Sequence, residues 1–151
     1  MKDPAFYETG SGGDMSLLNN DIVLSSGLFN QVYFALFGGN PKQSTTQDII
    51  TPREDWWANE LFLSSYPALQ YNSQTERTLT EVALNSSGRA AIERAITQDL
   101  QYLQLPYTLD VSITSTNKVE IHIKMNESMA NETYRFIWDA TRSELIETQL
   151  I

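Results

Sequence analysis

Between residues 109 and 125 the hydrophobic period is two. Leu109, Val111 and Ile113 alternate with Asp110, Ser112 and Thr114, and Ser115-Thr116-Asn117-Lys118 supplies a turn. Val119, Ile121, Ile123 and Met125 then alternate with Glu120, His122, Lys124 and Asn126. Successive side chains of a strand point to opposite faces, so the pattern predicts an antiparallel hairpin with one buried and one wet face. Tyr134, Phe136 and Trp138 continue the alternation and suggest a third strand. The tail from Arg142 to Ile151 fits a fourth strand or a short helix.

The buried face of such a sheet needs a cover, and the sequence upstream provides helices. Leu28, Phe29, Val32, Tyr33, Leu36 and Phe37 recur at helical spacing, and Gly38-Gly39-Asn40-Pro41 stops the run. A second helical region spans 76–104, with Thr78 and Thr80 ahead of Glu81 as a capping arrangement for a helix through Leu84. Ser86-Ser87-Gly88 breaks or kinks it. Ala91, Ile92, Ala95, Ile96, Asp99, Leu100 and Leu103 resume the period, and Pro106 ends it. The expected fold is α+β, with two to three helices packed on a small, mainly antiparallel sheet of three to four strands. Residues 1–15, with Gly10-Ser11-Gly12-Gly13, read as a flexible N-terminal arm, and 16–151 as a single domain. Asp21-Ile22-Val23-Leu24 is a short strand-like run. Residues 42–55 form a long polar loop that leads into Trp56-Trp57.

Composition narrows the function classes. The formal charge is -9, from 19 acidic and 10 basic residues, which opposes phosphate-tracking nucleic-acid binding and adhesion to an anionic membrane. With no cysteine, disulfides, thiolate catalysis and Cys-based metal sites are excluded. No apolar run is long enough for a helical membrane span, and Met1-Lys2-Asp3-Pro4 lacks the core of a signal peptide. The Asn-x-Ser/Thr triplets at Asn85, Asn126 and Asn131 read as chance occurrences.

Catalytic constellations are sparse. His122 is the one histidine and sits on the polar phase of its strand, so neither a triad nor a histidine metal site has its parts. Glu54-Asp55 is the nearest carboxylate pair, but adjacent residues cannot face each other across a cleft as glycosidase carboxylates do. No catalytic, cofactor-binding or metal residue is assigned. Side chains of successive residues in an extended segment point opposite ways, so Trp56 and Trp57 fit two arrangements: one indole anchors the loop while its neighbour meets a partner, or both pack beneath the long loop.

The order of features resembles a known family. Asp21-Ile-Val-Leu, Gly27-Leu-Phe with its apolar helix, Leu36-Phe-Gly-Gly-Asn, a polar loop and Asp55-Trp-Trp-Ala-Asn form one part. Ala90-Ala-Ile-Glu, Asp99-Leu and Tyr102-Leu, leading into the alternating hairpin, form the other. Together, over roughly residues 14–125, they resemble the Mu-like baseplate subunit of contractile-tailed phages. That subunit is related to the wedge protein also called the sheath initiator, and type VI secretion and phage-like injection systems carry relatives. Ala58-Asn59 stand where the family has a glycine and an aromatic residue.

The resemblance implies a non-enzymatic subunit, present in multiple copies within a symmetric assembly, that templates the first ring of sheath. Its implied partners are other baseplate wedge proteins, the tail sheath protein and the tail tube, with no nucleic acid or membrane. Its implied location is the host cytoplasm during assembly and then the virion. In that family the sheet accepts strands from neighbouring subunits. The expected partner-binding residues are therefore Trp56 and Trp57 together with Val119, Ile121 and Ile123 of the hairpin. The alternatives are a tail-associated peptidoglycan hydrolase using Glu54 with Asp55 or Glu60, and an unrelated soluble adaptor.

Overall fold

In the computed structural model, which describes residues 2–8, 13–39, 61–66, 70–126 and 132–150, the chain begins with six short strands. They are β1 (Lys2–Pro4), β2 (Phe6–Glu8), β3 (Gly13–Met15), β4 (Leu17–Leu18), β5 (Asp21–Ile22) and β6 (Leu24–Ser26). β1 pairs with β6, β2 with β3 and β4 with β5, all antiparallel. Three two-stranded ribbons thus meet at Ala5, Ser16 and Val23. There the backbone bonds close a ring: Ala5 N–H donates to Val23 O (2.8 Å), Val23 N–H to Ser16 O (2.9 Å) and Ser16 N–H to Ala5 O (2.8 Å). Asn19 and Asn20 turn the β4–β5 ribbon with φ of 52° and 64°, the left-handed pair that a two-residue hairpin turn demands and asparagine tolerates.

The sequence places a flexible arm over 1–15, and β1, β2 and β3 fall within it. Strands of two or three residues carry too few alternations to register as periodic, and here the pairing is set by the ring rather than by a hydrophobic face.

Helix α1 (Gly27–Phe37) follows directly, burying Phe29, Val32, Ala35 and Leu36. The Asn30 amide donates to Pro4 O at 2.8 Å, tying the three-ribbon unit to the helix. The 76–104 region is two helices, α2 (Gln74–Glu81) and α3 (Ser86–Asp99). The expected capping by Thr78 and Thr80 is not what forms. Both hydroxyls donate within the helix, to Gln74 O and Glu76 O. The N-cap is Ser73, whose hydroxyl oxygen accepts from Glu76 N–H at 3.2 Å and whose hydroxyl donates to Leu36 O.

Ser86-Ser87-Gly88 marks the break, as expected, because Asn85 caps α3 by accepting from Gly88 N–H at 2.9 Å. Gly88 is buried against the preceding turn, where a Cβ would overlap the carbonyl oxygen of Ala83. A 3-10 turn at Gln101–Leu103 and a left-handed Gln104 (φ 52°) then lead to Pro106.

The period-two segments form an antiparallel meander of β7 (Tyr107–Ser115), β8 (Lys118–Met125), β9 (Thr133–Asp139) and β10 (Glu144–Leu150), in the order β10-β9-β8-β7. The tail is therefore the strand rather than the helix of the two expected forms. One face carries Val111, Val119, Ile121, Ile123, Met125, Tyr134, Phe136, Trp138 and Leu145, all buried. The aromatic rings of α1 lie on it: Phe29 meets Tyr134 edge-on at 5.4 Å, and Phe37 packs on Phe136 and Trp138 at 5.4 and 6.5 Å. Ile92, Ile96 and Leu100 of the α3 region and Leu79 of α2 complete the core. The chain is an α+β fold with its helices on one face of the sheet. Among the described residues no helix is long and apolar enough to cross a membrane.

Candidate interaction edge

The sheet has two edges, and the chain treats them differently. β10 pairs with β9, and β2 of the N-terminal unit lies close against it. β7 pairs with β8 alone, and among the described residues no strand lies on its outer side.

Which backbone groups β7 presents follows from the register. Asn126 N–H donates to Pro106 O at 2.9 Å, so the 106/126 pair is of the hydrogen-bonded type. Opposed antiparallel residues alternate between bonded and non-bonded pairs. The pairs Thr108/Lys124, Asp110/His122 and Ser112/Glu120 are then the bonded ones, and Tyr107, Leu109, Val111 and Ile113 turn their backbone groups outward. The β8–β9 ladder agrees, since Met125 N–H donates to Glu132 O at 3.0 Å and the odd residues of β8 face β9. A register shift between Ile113 and Ser115 ends the regular stretch.

The side chains along this edge are sorted by face. Tyr107, Leu109 and Ile113 are half-buried on the helix side, beside buried Val111. Thr108, Asp110 and Ser112 line the other face, and Asp110 is exposed with no ion pair to any described residue. Pro106 sits at the entrance to the strand, where its carbonyl accepts from Asn126 N–H while its missing N–H leaves the return bond of that pair unmade.

Behind the edge, on the same wet face, lies a charged network. His122 Nε2 is 2.7 Å from Glu120 Oε1, Arg135 Nε is 2.5 Å from the same oxygen, and Arg135 Nη1 is 3.1 Å from Glu147 Oε1. The hydrogen bond from Arg135, then that from His122, holds the Glu120 carboxyl below the usual glutamate range. His122 is the half-exposed strand residue that the sequence predicts. On the helix side Asp99 accepts from Gln74 N–H (2.9 Å), Thr75 N–H (2.7 Å) and the Thr75 hydroxyl (2.7 Å). Burial pushes its carboxyl up, against the pull of these bonds. These contacts, with a longer one from the Ser73 hydroxyl (3.5 Å), serve the start of α2 and make Asp99 a structural cap. Among the described residues no three His, Cys, Asp or Glu side chains gather as a metal site would require.

The residues expected to meet partners are placed differently. Val119, Ile121 and Ile123 are each 0% exposed on β8, which has a neighbour on both sides, so they face the core and not a partner. Trp56 and Trp57 lie outside the described residues, as do Glu54, Asp55 and Glu60. The edge belongs to β7, the first strand of the hairpin whose edge the sequence offers as a contact surface, whereas the three hairpin residues expected to bind lie on its second strand. Two signals mark it: Pro106 in front of the strand, and the larger apolar residues of β9, which claim the far side of β8.

No family model, curated protein or solved structure matches the chain.

Proposed function

We propose that the chain is a structural, non-enzymatic subunit of a contractile-tail baseplate. In this role it contacts neighbouring wedge and sheath proteins and offers its sheet as a template for the first sheath subunits. The observation that carries the reading is the outer edge of β7. Its outward groups at Leu109, Val111 and Ile113 match what strand addition needs, a row of backbone donors and acceptors with a regular repeat. An edge of this length is ordinarily paired, covered or guarded by charge, and β7 carries only Asp110 and a terminal bulge. The opposite edge, beside the chain's own N-terminal unit, gives the assembly a direction in which strands are added.

The test is a census of intact tail particles. The chain should co-purify with baseplate and sheath proteins in a fixed ratio, and the isolated chain should leave a peptidoglycan zymogram uncleared. Particles that contain no copy of the chain, or a cleared zymogram, would overturn the proposal.

A further inference from the structure

We infer that the strand received by β7 alternates apolar and small polar residues and carries a lysine or arginine opposite Asp110. The inference rests on the strand-accepting reading above and specifies the occupant. Residues directly opposite each other in a sheet share a face. Positions of the incoming strand facing Leu109, Val111 and Ile113 therefore fall on the helix side. There they would cover the half-buried flanks of Tyr107, Leu109 and Ile113 and extend the core over α3, which already packs against β7. Positions facing Thr108 and Ser112 fall on the wet face, where threonine and serine pair well across strands.

Asp110 sets the charge. It is exposed, lies midway along the outward-facing run and has no ion pair with any described residue. Its cross-strand neighbour on β8, His122, is engaged with Glu120, and Arg135 on β9 is shared between Glu120 and Glu147. The basic groups nearest in the sheet are thus committed, with the exception of Lys124, which stands opposite Thr108. An acidic residue brought opposite Asp110 would meet a like charge, which opposes pairing, whereas a basic one completes the row. The net charge of -9 adds a long-range preference of the same sign.

The experiment uses the full chain and three short peptides of alternating valine and threonine, identical except for a central lysine, glutamate or glutamine. Binding is followed by amide chemical shifts. All three peptides should move the amides of Leu109, Val111 and Ile113. The lysine peptide should bind about two- to fivefold tighter than the glutamine peptide, with the glutamate peptide weaker than both, as a single cross-strand ion pair allows. Asp110→Asn should abolish the difference in excess of the long-range part, and Asp110→Lys should reverse the order.

Shifts at those three amides with equal affinities for all peptides would overturn the charge assignment and leave strand acceptance standing. So would an order of affinities unchanged in Asp110→Lys. No shift at those amides with any peptide would overturn both.

Discussion

Two residues show how much of this structure turns on single atoms. Gly88 lies where the chain leaves one helix and enters the next, and any side chain there would strike the Ala83 carbonyl. Gly88→Ala should therefore destabilise the fold by about 1–3 kcal/mol, the usual range for an overpacked site, although alanine is the better helix former. Urea denaturation measures it directly. Glu120 is the second case. Because its folded pKa is depressed, its contribution is whole above the ordinary glutamate value of 4.5 and is lost as pH falls through the lowered one. Arg135→Gln should flatten that acid-side loss, in denaturation curves taken between neutral pH and pH about 3. Asp99, whose carboxyl is raised by burial, works in the opposite sense: the share it adds is present at low pH and is lost as pH rises through its folded value.

At the scale of elements, the alternating register of β7 can be tested by proline. Leu109 turns its N–H outward, whereas Asp110 donates its N–H to β8. Leu109→Pro should cost little more than Leu109→Ala. Asp110→Pro should cost at least about 1 kcal/mol more than Asp110→Ala, the value of a lost ladder bond. Thermal or urea unfolding of the four variants would read this, and equal penalties would refute the assigned register.

The elements also show what the sequence makes legible. The strands at 107–115, 118–125 and 133–139 could be read because a wet face forces a period of two over many residues. The cap of α2 could not, since the Asp99 carboxylate that supports it comes from the far end of α3, and local spacing carries no trace of that meeting. Val119, Ile121 and Ile123 were expected at an interface for a related reason. Alternation shows which face a residue takes, but not whether its strand lies at the edge or in the middle of the sheet. That depended on where β9 paired.

For the whole molecule, one aromatic contact layer joins α1 to β9, beside the aliphatic packing of α2 and α3. Trp138 is buried and stacked near Phe37, and its Nε1 has no hydrogen-bond partner among the described residues. Trp138→Ala should cost about 3–5 kcal/mol and loosen α1 from the sheet. Trp138→Phe should cost less, because it also removes an unpaired buried donor. Near-ultraviolet circular dichroism together with denaturant midpoints would separate the two.

The ring of Ala5, Ser16 and Val23 carries its own consequence. Each of the three residues donates one bond and accepts one, so each bond seats the base of two ribbons at once. Rupture of any bond frees both of its neighbours, and the unit opens as one latch and not as three. The Ala5, Ser16 and Val23 amides should therefore exchange with deuterium at a common rate set by a single opening event. Ser16→Pro, which removes one donor, should speed exchange at the other two amides and leave the β7–β10 sheet untouched.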